Sequence, residues 1–302
     1  MNLVQFVNQE KKYNVTVQNS YIKTIKPKGK NMGYYDTHTH CLHSFDSNAE
    51  IDDMINAAIN AGLSGICFTD HHDIDFPKTD PADPDALLDI PRHLYEIADA
   101  KLRFKDNIEV YCGIEIGLQP HVAAQNTDII QNHDFDFVIG SCHVLNGEDP
   151  YYGGVYKGRN ESEVHREYFE SVMENITAFH DFDVFGHLDY IVRYGPNRDL
   201  EYNYEKHADI IDDILLKLIS MDKGIEVNTS GLKSGLKYPN PCFDIIRRYR
   251  DLGGDIITTG SDAHEPRFVG YEFGILSDML RSAGFDHFNI FKNRTPFSIP
   301  LN

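Results

Sequence analysis

No part of the sequence approaches the roughly 18 consecutive apolar residues that a membrane-spanning helix needs. The opening stretch MNLVQFVNQEKK holds no apolar core long enough for a secretory signal, so neither membrane insertion nor export is expected. Cysteine is scarce, five in 302 residues, an odd number that cannot all pair within one chain. Cys67, Cys112 and Cys142 each sit in an apolar segment, as small buried hydrophobes do, which points to reduced thiols and a cytoplasmic setting. No paired-thiolate spacing occurs, which argues against a structural zinc site. Basic residues are also few, 28 Lys and Arg against 47 Asp and Glu, for a formal charge of −19. A surface that negative repels a phosphate backbone, whose binding rests on neutralisation by Lys and Arg, so no nucleic acid is expected as the main partner. A local basic or metal-filled pocket for a small anion remains compatible with that balance.

What the chain does have is ordinary globular composition, 41% hydrophobic and 25% charged, and fifteen histidines. Residues 1–32 stand apart: six lysines against Glu10 give this segment +5 and leave −24 on the remainder. Alternation in Tyr13-Asn-Val-Thr-Val and Tyr21-Ile-Lys-Thr-Ile reads as a strand pair or a loose arm, an appendage ahead of a catalytic body over 33–302. From Gly33 onward helical and strand patterns alternate. Helical spacing is clear at 50–62, in Ile211, Ile214, Leu215, Leu218 and Met221, and in Cys242, Ile245, Ile246, Tyr249 and Leu252. Further helices are expected over about 86–105, 162–179 and 274–293. Gly62, Gly224 and Gly253 stand just past three of these patterns, as C-terminal glycines do. Between them lie short apolar runs suited to strands buried on both faces, at 34–35, 65–68, 109–114, 135–140, 183–186, 224–227 and 255–260. Alternation of this kind implies parallel pairing, and seven or so units in about 270 residues fit one β/α barrel.

Nearly every strand pattern ends in metal-ligand residue types. The first runs into Asp36-Thr-His38-Thr-His40-Cys-Leu-His43-Ser-Phe-Asp46, the second into Asp70-His71-His72-Asp73, and the third into Glu115. The others end in His143, in His187-Leu-Asp189, and in Asp262-Ala-His264. Alternate residues on an extended strand point the same way, so His38 and His40 can present two imidazoles to one ion, and Asp262 with His264 repeats the spacing. A lone histidine at a strand end usually means a hydrogen-bonded or solvated side chain. Six such endings on one face of a barrel point instead to a metal centre, with mixed nitrogen and oxygen ligands suited to Zn, Mn or Fe.

These endings, together with Glu226-Val-Asn-Thr-Ser-Gly-Leu-Lys and Gly253-Gly-Asp-Ile-Ile-Thr-Thr-Gly-Ser-Asp-Ala-His, resemble the PHP (polymerase and histidinol phosphatase) family, and within it the histidinol-phosphate phosphatases. The resemblance implies a distorted seven-stranded (β/α) barrel of the PHP type carrying two or three divalent metal ions. It implies His38, His40, Glu115 and Asp262 at a first metal, Glu115 bridging to a second held by His143 and His187, and Asp46, His71 and His264 at a third. His43 competes with Asp46, and His72 with His71; Asp46 and His71 are preferred. Glu115, Asp262 and His264 would carry the catalysis. Arg193 and Lys233, just past the fifth and sixth strands, would bind phosphate, with a surface charge the alternative for each. The implied reaction is hydrolysis of a small phosphate ester, L-histidinol phosphate in histidine biosynthesis, by in-line attack of a metal-bridging hydroxide without a phosphoenzyme.

The leaving alcohol would carry an amine and an imidazole, so an acidic wall is expected, with Asp73, Asp75 and Asp189 available. His93, His165, His207 and His287 fall in expected helices, and His133 and His180 on the opposite side of the barrel; all six read as structural or solvated. His121, past a ligand strand, could touch substrate. Three rivals remain at this level: a PHP-type nuclease or nucleotide phosphatase, a non-catalytic metal-holding module, and an amidohydrolase, whose bridging lysine has no counterpart where Glu115 stands.

Overall fold

The computed structural model describes residues 4–6, 13–15 and 33–301. The chain divides into two units, Met1–Lys30 and Asn31–Asn302. In the first, strand β1 (Val4–Phe6) pairs antiparallel with β2 (Tyr13–Val15). The expected second partner, Tyr21-Ile-Lys-Thr-Ile, lies outside the described residues.

The second unit winds β3 (Tyr35–Thr39), α1 (Ile51–Asn60), β4 (Gly65–Phe68), β5 (His71–His72), α2 (Ile90–Arg103), β6 (Glu109–Gly117), α3 (Ala123–Asn132), β7 (Phe137–Ser141), α4 (Glu161–Ala178), β8 (Val184–Phe185), α5 (Ala208–Ser220), β9 (Gly224–Asn228), α6 (Ser230–Lys233), α7 (Phe243–Asp251), β10 (Ile257–Gly260) and α8 (Leu276–Ser282). All strands of this series pair in parallel, in the order β10-β9-β8-β7-β6-β4-β3, with β5 added alongside β6. The two edges come together: Asp262 N–H donates to the His38 carbonyl at 2.8 Å and His40 N–H to the Ala263 carbonyl at 2.9 Å. The result is a nearly closed barrel of the expected kind.

Strand interiors such as Ile225, Val227, Val138, Ile139, Ile66 and Phe68 are fully buried between barrel and helices, which is why their sequences read as unbroken apolar runs. Helix α1 presents Ile51, Met54, Ile55 and Ala58 inward, the spacing seen in the sequence. The helix expected over 274–293 is corrected. α8 stops at Ser282, Gly284 follows with φ of +96°, and the chain re-enters as β11 (His287–Lys292) paired antiparallel with β12 (Thr295–Pro300). Asn293 and Arg294 both take left-handed backbone angles, the requirement of a tight two-residue hairpin turn. The hairpin is latched to the barrel by Arg294, whose Nε donates to Asp183 at 2.7 Å. His287 therefore lies on a strand, not a helix. Among the described residues no helix is long and apolar enough to cross a membrane.

Candidate metal centre

The C-terminal ends of the parallel strands open on one face, and their last residues converge. β3 delivers His38 and, one residue past its end, His40; β5 delivers His71; β6 delivers Glu115; and the turns after β7, β8 and β10 deliver His143, His187 and Asp262 with His264. Glu115, fully buried, is the hub. Its Oε1 lies 3.2 Å from His143 Nε2 and 3.0 Å from His187 Nε2, while its Oε2 lies 3.1 Å from His38 Nε2 and 3.0 Å from His71 Nδ1. Asp262 Oδ1 stands 3.4 Å from His40 Nε2 and 3.6 Å from His264 Nδ1. Asp46 closes the open side, 3.1 Å from His264 Nε2 and 3.7 Å from His71 Nε2. His187 and Asp262 both hold positive φ, +24° and +54°, where non-glycine residues cost on the order of 1–3 kcal/mol. The barrel imposes that strain at two of the converging positions.

The tautomers follow from the partners. Glu226 is an acceptor, so His38 must donate its Nδ1 proton to it, at 2.7 Å. Asp73 takes the Nδ1 proton of His143 in the same way, also at 2.7 Å. Ser44 spends its hydroxyl proton on Asp70, so His40 Nδ1, 3.0 Å away, must be the donor to Ser44 Oγ. His264 Nδ1 donates to the Asp262 carbonyl at 3.1 Å. Four imidazoles thus turn Nε2 electron pairs inward, and two of these, on His38 and His40, face each other at 3.1 Å. Paired lone pairs repel unless a cation lies between them. Glu115 Oε2, His71 Nδ1 and His264 Nε2 are buried atoms without a hydrogen-bond partner, as ligand atoms awaiting an ion would be. The residues present therefore fit divalent metal ions.

Electrostatics agree with that fit. Burial pushes the Glu115 and Asp262 carboxyls up, but the imidazoles around them, His38 foremost, hold both well below the usual carboxylate range. Burial drives His40 down to about 3, helped by His264 and His71, so its ring stays neutral and available as a ligand. The rings of His71 and His264 stack on His40 at 4.3 and 4.1 Å. Four overlapping triads have ligand atoms close enough to share an ion: His38–His40–Glu115, His71–Glu115–His143, His40–His71–His264 and His38–His187–Asp262. His71 thus belongs to two triads, one with Glu115 and His143 and one with His40 and His264, a grouping the spacing alone did not separate.

Of the competing residues, His43 turns away and meets Glu96 at 3.0 Å, and His72 accepts the Leu88 N–H through Nδ1 at 3.1 Å. Arg193 is buried, with Nε on Asn240 Oδ1 at 2.7 Å, one terminal nitrogen on Asn228 Oδ1 at 3.1 Å and the other on Asp262 Oδ2 at 3.2 Å. Lys233 reaches the Asp262 carbonyl at 3.5 Å and lies over the Phe268 ring. Both cations therefore flank Asp262. The three carboxylates considered for an acidic wall are otherwise engaged: Asp73 with His143, Asp189 buried against Asn240 and the Cys242 N–H, and Asp75 out on the surface with His121. His121 accordingly pairs with Asp75, at 2.9 Å, and belongs to none of the four triads. The orienting residues Glu226, Ser44, Asp70 and Ser141 were missed by sequence reasoning; the last donates to Glu115 Oε1 at 2.6 Å. A Glu two residues before Asn228 on a barrel strand, facing the same side, was the one available signal for Glu226.

Residues 36–230 match the model of the PHP domain. A protein of Clostridium acetobutylicum named "Probable histidinol-phosphatase" is 34% identical over 239 residues, spanning 79% of this chain and 89% of that one. The histidinol-phosphatase of Lactococcus lactis subsp. lactis is 32% identical over 252 residues, spanning 83% and 91%. The crystal structure of the Lactococcus lactis histidinol phosphate phosphatase, complexed with zinc, L-histidinol and phosphate, superimposes with a TM-score of 0.79 at 30% identity, over 87% of this chain and 98% of that one.

Proposed function

Because the chain belongs to the PHP-domain family, we propose that it is a metal-dependent phosphatase that hydrolyses L-histidinol phosphate to L-histidinol and phosphate. The observation that carries this reading is the convergence of six imidazoles and three carboxylates, with lone pairs opposed, in a barrel whose zinc-bearing Lactococcus lactis neighbour holds L-histidinol and phosphate. Water attacks phosphorus in line, the ester P–O bond breaks, and the alcohol departs with a proton. Bound divalent ions would supply Lewis acidity, charge neutralisation and an ionisable water near neutral pH.

The chain's own residues divide the remaining work. His38, His40, Glu115 and Asp262 would hold one ion, Glu115 with His143 and His187 a second, and Asp46, His71 and His264 a third. Glu115, with each oxygen turned to a different set of imidazoles, would bridge. Asp262 ties this set to phosphate recognition, since it also receives Arg193 and Ser230 Oγ. Arg193 has five N–H donors and spends three on protein, leaving a fork for the ester's oxygens beside Asp262. Lys233 adds a second cation on that side. His264, at the open edge with Asp46, faces the incoming ester.

The test is a substrate panel on protein whose metals have first been measured by elemental analysis. Turnover of L-histidinol phosphate well above that of a nucleoside monophosphate or a short single-stranded DNA supports the reading. Metal-loaded protein that prefers either nucleic-acid-derived substrate overturns it.

A further inference from the structure

An aromatic wall climbs out of the metal centre on one side. The Tyr190 ring lies 4.8 Å from His187 and 5.6 Å from His143, and the Arg193 guanidinium covers it at 5.0 Å. Tyr194 continues the wall at 5.0 Å from Tyr190, its hydroxyl donating to that of Tyr190 at 3.0 Å. Tyr151 meets Tyr194 edge-on at 5.8 Å, and Tyr152 meets Tyr151 at 5.2 Å. Tyr151 and Tyr152 are 63% and 60% exposed, so two large rings stand open at the mouth. On the other side Phe45, against His71 at 5.6 Å, packs on Phe76 at 5.5 Å.

Asp149 sits at the root of the tyrosine wall. One of its oxygens accepts the Tyr151 N–H at 2.8 Å, capping the turn Pro150–Tyr152 that carries both exposed rings. Among the described residues the other oxygen has no hydrogen bond. Its charge is felt by His143, Asp73 and Asp46 in the metal centre and by Tyr190 and Tyr194 in the wall, and burial pushes its own carboxyl up. A half-buried carboxylate with a spare oxygen, on the turn that carries Tyr151 against Tyr194, can recognise an organic cation that stacks.

We propose that Asp149, with Tyr194 and Tyr151, forms the subsite for the leaving group, and that it selects phosphate esters whose alcohol carries a protonated amine or imidazole. This assignment rests on the phosphatase reading above and replaces the three carboxylates that sequence spacing had offered. Asp149 and the tyrosines act on which ester binds, through contact with the part of the substrate that does not react.

The test compares kcat/KM of the zinc-loaded full chain for L-histidinol phosphate, phosphoethanolamine and glycerol phosphate in the parent, Asp149→Asn and Asp149→Glu. In Asp149→Asn the preference for the two cationic esters over glycerol phosphate should fall about ten- to a hundred-fold, mainly through KM, the scale of a lost charge-assisted contact. Asp149→Glu, which keeps the charge, should recover part of it, a rescue that loss of the turn cap alone would not give. An unchanged preference in Asp149→Asn, or a parent with no preference for cationic esters, overturns the subsite. A parent that favours phosphoethanolamine but not L-histidinol phosphate, with the preference lost in Asp149→Asn, keeps the subsite and removes the histidinol reading.

Discussion

Glu226 and His38, 188 residues apart, share a fully buried hydrogen bond of 2.7 Å, and it decides which nitrogen of His38 faces the metal centre. Glu226 uses its other oxygen to accept the His187 N–H at 3.0 Å and an Asn228 amide proton at 3.1 Å. One carboxylate thus fixes a ring from β3 and the backbone of a strained residue after β8.

Loss of that carboxylate should therefore weaken metal binding more than it weakens the fold. Glu226→Gln keeps the shape but can offer an N–H to His38 Nδ1, allowing the wrong tautomer. Metal affinity, measured by competition with a chelator, should fall about ten- to a hundred-fold, as for other partners of ligating histidines. Unchanged affinity would mean that the ring is held by packing alone.

Gly260 tests the same contact from the backbone side. A methyl group there would collide with Glu226 Oε1 and with the His38 Cβ, both buried and braced. Gly260→Ala should cost about 1–3 kcal/mol of unfolding free energy by overpacking and lower the metal content as well. Urea titration read alongside elemental analysis checks both. Wild-type values in both would show that the end of β10 can shift freely.

Much of this centre was legible because its ligands are encoded locally. His38-Thr-His40 and Asp262-Ala-His264 place two donors on one side of an extended segment, and a barrel brings the strand ends together whatever their separation in sequence. What orients the ligands is not local. Glu226, Ser44, Asp70 and Asp73 acquire their roles only from a ring contributed by another part of the chain or from a turn, and no spacing records that. Asp149 was passed over for a related reason: it caps a short turn after β7, and only the fold brings Tyr151 of that turn against Tyr194 and Tyr190. The helix expected over 274–293 ran across β11, over a stretch where Phe285, Phe288 and Phe291 recur every three residues. Gly284 and the pair Asn293–Arg294 carried the contrary signal, a stop and then a tight turn.

Arg193 holds three acceptors of the chain, and the phosphate contact proposed for it can be tested by replacement. Arg193→Ala removes the donors to Asn240, Asn228 and Asp262 together with the two N–H groups proposed for phosphate. A loss of about 1–3 kcal/mol in transition-state stabilisation is expected, with a raised inhibition constant for inorganic phosphate. Arg193→Lys should not rescue it, since one ammonium cannot span three acceptors in that fixed fork. An unchanged phosphate inhibition constant in Arg193→Ala would remove the residue from substrate contact.

His165 offers a pH prediction on α4, among residues that are not candidate ligands. Its ring is 2% exposed, edge-on to Tyr156 and Tyr202, and its Nε2 has no hydrogen-bond partner. Burial, with a smaller contribution from His207 and Lys206, lowers its pKa from the ordinary 6.5 to about 3. The folded protein therefore keeps this ring neutral between pH 6.5 and about 3, while the unfolded chain protonates it. The unfolded state binds the extra proton, so stability is full above pH 6.5 and is lost as the pH falls through that window, by at most about 1.4 kcal/mol per pH unit from this group. His165→Gln cannot take up that proton. The stability difference between parent and variant, from urea unfolding at matched pH, should be constant above pH 7 and shift in the variant's favour below 6. Parallel stability curves down to pH 4.5 would show that the His165 ring is protonated as readily in the folded state as in the unfolded one.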